Sequence, residues 1–149
     1  MIELNYPFSR EEVRKLKVGD MVLITGKLFT GRDAVHKYLH EGNPSPVDLN
    51  NQIIYHCGPV VMKDSKGAYT VTAAGPTTSI REEPYQWEVM RDHHIVGVIG
   101  KGGMGQKTLD ACKEYGAAYF RAVGGAAPVL AERIKSADGL YPDEPAHPE

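Results

Sequence analysis

The sequence has few cysteines, no long apolar run and no excess of one charge. Its 149 residues include only two cysteines, Cys57 and Cys112, which is too few for a disulfide framework. Two thiols are also too few to hold a structural zinc ion or an iron–sulfur cluster, and the six histidines form no His-Glu-x-x-His pair. A complete metal site within this chain is therefore not expected, and we expect both cysteines to be buried.

The sequence also lacks a membrane span, a secretory signal and a strong net charge. No segment approaches the roughly 20 apolar residues of a membrane span, and the first residues lack the basic and apolar regions of a secretory signal. The formal net charge of −2 gives no general attraction to nucleic acid or to anionic membranes. We expect a cytoplasmic protein that binds neither, in which any anion is held by local groups of cations.

Length and hydrophobic patterning favour one α/β domain. With 42% apolar and 24% charged residues, the composition is that of an ordinary globular protein. The pattern predicts a β-hairpin region, with its turn at 64–67, before an alternating strand–helix half. We expect the domain to cover residues 1–136 and a Pro- and acid-rich tail, 137–149, to be poorly ordered. The predicted helices are 9–17, 34–40, 82–92, 108–115 and 128–135, and the predicted strands are 21–25, 53–63, 68–73, 95–99 and 117–123.

Four predicted strands run into a glycine-bearing turn and then a helix, near residues 31, 75, 100–105 and 124–125. Ligand sites in open α/β sheets lie at the carboxyl ends of strands. Helix starts at that edge present backbone N–H groups and a partial positive charge. The pattern therefore predicts an anion site built from these turns.

The segment "AAGPTTSIR", residues 73–81, has two interpretations. Gly75 and Pro76 form a tight corner, and Thr77 or Thr78 could simply cap the next helix. Arg81 follows one turn later, where its guanidinium could reach the same anion as the hydroxyls. The functional interpretation is a carboxylate site that also moves a proton.

The segment "TGRDAVHK", residues 30–37, begins another predicted helix. Arg32 and His36 are four residues apart and so share one helix face. They are either a solvated surface pair or a carboxylate ligand with a proton-relaying imidazole.

The segment "VIGKGGMG", residues 98–105, contains the spacing GxGxxG after a strand and before a helix. The acid that a dinucleotide site places about 20 residues later is missing, and Lys101 is followed by glycine rather than Ser or Thr. Lys101, at the end of a strand, is instead predicted to be an anion ligand.

Taken together and in this order, the three motifs resemble the β subunit of two-subunit class I fumarate hydratases and L-tartrate dehydratases. They are also similar to the C-terminal domain of single-chain class I fumarases. The resemblance runs from about residue 18 to about residue 135. It implies a swivelling β/β/α-type single domain with a mixed sheet, within an enzyme that reversibly adds water to a four-carbon dicarboxylate.

The resemblance also implies a cofactor and a partner. In such enzymes an α subunit binds a four-iron, four-sulfur cluster through three cysteines, and the β subunit supplies the other wall of the site in a heteromer such as α2β2. Carried over by position, Arg32, Arg81 and Lys101 are carboxylate ligands, Thr77 takes the proton from carbon, and His36 is a second acid/base candidate. Thr78 and Gly75 complete the predicted substrate contacts.

Two other functions are compatible with the sequence. The chain could be a stand-alone module that binds small anions or nucleotides through the turn at 100–105. It could also be a degenerate, non-catalytic subunit, since Glu82 and Glu83 follow Arg81 where the family usually has methionine.

Overall fold

The structure is a computed structural model that describes residues 2–31, 33–45, 47–57, 60–63, 65–66, 69–73 and 78–122. A 3₁₀ segment, Ser79–Glu82, leads into the third helix. In chain order the elements are β1 (Ile2–Asn5), α1 (Arg10–Arg14), β2 (Val22–Thr25), β3 (Phe29–Thr30), α2 (Asp33–His40), β4 (Ile53–Tyr55), β5 (Val60–Lys63), β6 (Tyr69–Ala73), α3 (Glu83–His93), β7 (Gly97–Gly100), α4 (Gln106–Tyr115) and β8 (Ala118–Arg121).

A four-stranded parallel sheet, in the order β3-β4-β7-β8, forms the centre of the fold. Ile53 and Ile54 on β4 and Val98 on β7 are buried, as expected for adjacent apolar residues in a sheet covered on both faces. β1 and β2 form a separate parallel pair, and β5 and β6 an antiparallel hairpin. The predicted mixed α/β fold and its hairpin are confirmed.

The core lies on both faces of the sheet, because successive side chains of a strand point in opposite directions. Ile54 packs with Leu39 of α2, Met90 of α3 and Ala111 of α4, so three helices contribute to one cluster. Ile53 belongs to a second cluster, which β1, α1 and the segments beside them complete. Its other buried members are Leu4, Phe8, Val13 and Val96.

The parallel register brings the carboxyl ends of the strands to one edge. Tyr55 of β4 is aligned with Thr30 of β3 and with Ile99 of β7. The ladder continues one residue further, where the His56 N–H donates to the Ile99 carbonyl at 2.7 Å. The residues that follow these strands therefore meet along this edge, as expected for a ligand site in an α/β sheet.

The ends of α3 and α4 follow from local sequence. Pro84 lies in the first turn of α3, where its missing N–H disrupts no helical hydrogen bond. α4 ends at Gly116, whose φ of 69° is the left-handed conformation that glycine adopts without steric cost. The start of α3 and the end of α4 agree with the predicted bounds, 82 and 115, to within one residue.

Three other predictions are wrong or incomplete. The predicted strand 53–63 is two strands in different sheets, β4 and β5, and the sequence Gly58-Pro59 between them disfavours a continuous strand. β1 was not among the predicted strands, because four residues carry little periodic signal and its pairing with β2 is long-range. α1 is shorter than predicted, and Ser9 makes no side-chain cap hydrogen bond.

The predicted helix 128–135 and the predicted tail 137–149 lie outside the described residues. Across the part of the chain that the structure covers, none of the helices combines the length and the apolar character that crossing a membrane requires.

Replacing Met90 by alanine tests the importance of the helix-covered core. Met90 is fully buried, so Met90→Ala should lower the free energy of unfolding by about 2–5 kcal/mol through lost burial and a cavity. Met62→Ala is the matched control, because Met62 is 62% exposed, and its effect should stay within about 0.5 kcal/mol. Urea unfolding measures both, and equal losses would contradict this account of the core.

Candidate active site

The end of the segment "AAGPTTSIR" and the segment "VIGKGGMG" meet at the carboxyl edge of the central sheet. Thr78 forms a parallel bridge with Lys101, and the Ser79 N–H donates to the Lys101 carbonyl at 3.2 Å. The segment that enters the 3₁₀ turn is thus held against the turn that leaves β7. Positions 78 and 101, which are 23 residues apart in the chain, become neighbours.

Three of the predicted site residues are exposed in this region. Thr78, Arg81 and Lys101 all present their side chains to solvent. Thr78 makes no side-chain cap hydrogen bond, so the capping interpretation of its hydroxyl is not supported. Two cations and a hydroxyl therefore lie on two segments that are directly bonded to each other, an arrangement suited to a small anion.

The remaining predicted ligands lie outside the described residues, namely Arg32, Gly75 and Thr77. Gly31, the residue before Arg32, is described and lies at the same edge of the sheet. The Gly31 N–H donates to the Tyr55 carbonyl at 3.0 Å, and α2 begins at Asp33. The segment "TGRDAVHK" therefore also follows a strand of the central sheet, β3.

His36 does not lie on a solvated face. Its side chain is fully buried, and its Nε2 lies 3.0 Å from Oε1 of Gln86. The interpretation of His36 as a solvated surface residue is therefore wrong. Its predicted acid/base role stays a prediction, and the geometry gives it a neighbour that the sequence did not suggest.

A buried chain of polar side chains lies under the exposed residues. The Tyr119 hydroxyl donates to Ser79 Oγ at 3.0 Å, and Ser79 Oγ lies 2.8 Å from His56 Nδ1. His56 Nε2 lies 2.6 Å from Oε1 of Gln86, which His36 also contacts. We call Tyr119, Ser79, His56, Gln86 and His36 the buried polar chain.

The chemistry of these groups fixes the direction of the hydrogen bonds. An amide oxygen only accepts, so both imidazoles donate to Gln86 from Nε2. Burial raises the pKa of Tyr119, against a smaller opposite effect of its bond to Ser79, and its hydroxyl is a donor at neutral pH. Ser79 Oγ therefore accepts from Tyr119, and it is hydrogen-bonded to Nδ1 of His56 as well.

Sequence reasoning missed most of the buried polar chain. Ser79 was included only as one of three successive hydroxyls, and His56, Gln86 and Tyr119 were not singled out. The available signal was a histidine directly after the apolar β4, at the edge where sites form. Its partners, 23 and 30 residues further along, depend on tertiary structure.

Glycine at position 100 has a packing reason. A Cβ at Gly100 would overlap the Ser79 hydroxyl and would lie 3.1 Å from His56 Nδ1. A side chain here would push the 3₁₀ segment off the end of β7. The first glycine of the GxGxxG spacing is therefore explained by close approach of protein to protein, without a nucleotide.

The start of α4 is occupied by a side chain of α3. Glu83 accepts hydrogen bonds from the Gly105 N–H at 2.9 Å, the Lys107 N–H at 3.0 Å and the Thr108 hydroxyl at 2.6 Å. These are groups that a dinucleotide phosphate would use in a nucleotide-binding fold. The geometry therefore disfavours the nucleotide-binding alternative.

The two acids after Arg81 have different surroundings in the fold. Glu82 is fully buried within the 3₁₀ segment, and Glu83 is directed to α4. The charge of Glu83 is thus used at a helix start, where an anion is stabilising.

The prediction that both cysteines are buried is confirmed for Cys57 and is only partly right for Cys112, which is half-buried against the helix-covered core. Cys57 is fully buried. Burial, together with the charge of Glu83, raises the pKa of Cys112 to about 11, so its thiol is protonated at neutral pH. The described residues include no group of three or more His, Cys, Asp or Glu side chains placed to hold a metal ion, and they do not fit an iron–sulfur cluster.

Comparison with known proteins identifies the family. The profile of the Fumarase C-terminus family matches residues 1–144. The "L(+)-tartrate dehydratase subunit beta" of Escherichia coli K12 is 34% identical over 147 residues, which cover 98% of this chain and 73% of that protein. The chain belongs to the Fumarase C-terminus family. The resemblance that the three motifs carry is thereby confirmed.

A second relative comes from a longer protein. The "Putative fumarate hydratase class I" of Geobacillus stearothermophilus is 57% identical over 140 residues, which cover 94% of this chain but only 27% of that protein. The chain thus spans about a quarter of the length of this relative. The names of both relatives are those of hydro-lyases, as predicted.

Glu83→Ala tests the link between α3 and α4. Loss of the carboxylate leaves two amides and the nearly buried Thr108 hydroxyl without their acceptor, which should lower the free energy of unfolding by about 2 kcal/mol. Glu114→Ala, at an exposed position of α4, should change it by less than about 0.5 kcal/mol. Denaturant titration compares the two, and an unchanged midpoint for Glu83→Ala would contradict the assigned role.

Proposed function

We propose that this chain is the β subunit, or the corresponding part, of an iron–sulfur hydro-lyase that reversibly hydrates a four-carbon dicarboxylate. The family assignment supports the reaction class. The single observation that supports the site is the parallel bridge between Thr78 and Lys101, because it joins two of the motifs at the edge where α/β sheets bind ligands.

The proposed substrate contacts follow from charge. A diacid needs a cation for each carboxylate, and we assign Arg32, Arg81 and Lys101 to that role, with Arg81 forming a two-point contact that a lysine could not. The Thr78 hydroxyl and the backbone at Gly75 would add hydrogen bonds. Arg81 and Lys101 are exposed and are therefore accessible to a ligand.

Thr77 is the proposed proton acceptor. In dehydration it would take a proton from the carbon next to a carboxylate while the hydroxyl on the neighbouring carbon leaves as hydroxide. Release of the proton from Thr77 completes the water, and hydration is the reverse. A threonine hydroxyl is a poor base in water, so nearby cations and exclusion of solvent would have to stabilise its charged form. His36 is the second proposed acid/base residue, and its side chain is buried against Gln86.

The cofactor in this proposal is held by a partner. A four-iron, four-sulfur cluster bound to a cysteine-bearing α subunit would supply Lewis acidity toward the hydroxyl and one carboxylate of the substrate. The described residues of this chain offer no ligand set for it. The chain is therefore proposed to be inactive alone and active as a heteromer, with no step passing through a metal bound here.

Arg81→Ala tests the carboxylate site. In the complex reconstituted anaerobically with a cluster-binding α subunit, kcat/KM should fall about 10- to 100-fold, the equivalent of one charge-assisted contact. Arg91→Ala is the matched control, because Arg91 is exposed and paired with Asp92 at the far end of α3. Fumarate hydration and tartrate dehydration are both assayed, and wild-type kcat/KM for Arg81→Ala on the active substrate would refute the assignment.

Thr77→Ala tests the proton acceptor. Loss of an acid/base group should lower kcat by about 10²- to 10⁴-fold while binding of the dicarboxylate changes little. Thr70→Ala, on β6, is the control for the same substitution. Unchanged turnover in Thr77→Ala would remove this residue from the mechanism.

Two outcomes would favour the alternatives. If the lone chain binds NAD or ATP tightly in calorimetry but not fumarate, it is a nucleotide-binding module. If the complex assembles with an intact cluster and turns over neither substrate, it contains a degenerate subunit.

A further inference from the structure

We infer that the buried polar chain positions the active-site segment, with Ser79 as its central positioning residue. This inference rests on the proposed function, since it concerns how Thr77 and Arg81 are held. Ser79 lies two residues after one and two residues before the other. A displacement of Ser79 would therefore move both.

Ser79 is bonded to three neighbouring parts of the central sheet. Its N–H donates to the Lys101 carbonyl after β7. Its hydroxyl accepts from Tyr119 of β8 and is hydrogen-bonded to His56, which follows β4. Three adjacent strands thus fix one residue that itself belongs to a short, irregular segment.

Ser79 is packed tightly against the end of β7. Ser79 is fully buried, and its hydroxyl occupies the space that a side chain at position 100 would need. The Tyr119 hydroxyl also lies 3.4 Å from the Gly102 carbonyl, so the same phenol contacts the turn that carries Lys101. The buried polar chain therefore ties both motifs to one reference point.

The hydrogen bonds of the buried polar chain restrict the orientation of the side chains that they join. Burying hydroxyls and imidazoles is costly unless each is paired, and an apolar side chain of similar volume would fill the space without that cost. A paired network, unlike apolar packing, accepts only one orientation of its members. The network therefore sets the orientation of the segment more than the stability of the core.

Loss of this anchor should affect the chemical step more than substrate binding. Arg81 and Lys101 have long side chains, which can follow a shifted substrate. The proposed proton acceptor, Thr77, has a short side chain that moves with its backbone. A misplacement of about 1 Å at a reacting group can cost up to about 100-fold in rate.

The test uses Tyr119→Phe and Ser79→Ala in the reconstituted complex. Both should lower kcat, expressed per assembled complex so that a loss of folded protein does not count, about 10-fold or more while KM changes less than about threefold. Tyr115→Phe and Ser45→Ala are the matched controls, because their hydroxyls lie on α4 and in the loop before β4, outside the buried polar chain. Both controls should keep wild-type kcat.

A second measurement does not require activity. Amide hydrogen exchange of the full chain should be faster at Ser79 and its neighbours in Tyr119→Phe, with Tm close to wild type. Tyr119→Phe removes one half-buried hydroxyl, so it keeps the test valid if Ser79→Ala fails to fold.

The outcomes separate the two proposals. An active wild-type complex with unchanged kcat in Tyr119→Phe, or a rise in KM alone, overturns the positioning role. An inactive wild-type complex overturns the proposed function and the catalytic part of this inference with it. Unchanged exchange at Ser79 overturns the anchoring itself, whatever the activity.

Discussion

The parallel hydrogen-bond ladder of β4, β7 and β8 is the constraint on which the rest of the site depends. It brings the residues after these strands to one edge, so that His56, Lys101 and the 3₁₀ segment meet. Nothing in the exposed cations themselves would hold them together, because like charges repel. Burial of the apolar core, which the helices cover on one face of the sheet, offsets this repulsion.

Close packing and polar pairing act on the same point of this edge. Without a side chain at Gly100, Ser79 can lie directly on the end of β7, and its hydroxyl then reaches both His56 and Tyr119. Each feature is of little use alone, since a gap would weaken the hydrogen bonds and an unpaired hydroxyl would be costly to bury. Together they convert a flexible glycine turn into a defined support for exposed groups.

The sequence predicted what depends on local periodicity and on motif spacing. It indicated most helices, the hairpin, the end of α4, and the carboxyl-edge location of Lys101. It did not indicate β1, the division of residues 53–63 between two sheets, or the buried polar chain. Those features depend on register and on contacts between residues 20 to 50 positions apart, such as Tyr119 with Ser79 and His36 with Gln86. A side chain's type alone does not reveal its distant partner. The part of the site formed by Arg32, Gly75 and Thr77 stays a prediction.

The position of Glu83 has a consequence for how α3 and α4 lie side by side. α3 leads into β7 and α4 leads into β8, which are parallel neighbours in one sheet, so the positive ends of the two helices point the same way and would repel where they approach. Glu83 is the first residue of α3 and also accepts from the amides at the start of α4. One carboxylate is therefore the shared counter-ion of two helix dipoles, and it fixes the spacing of the helices as a bridging anion fixes that of two cations.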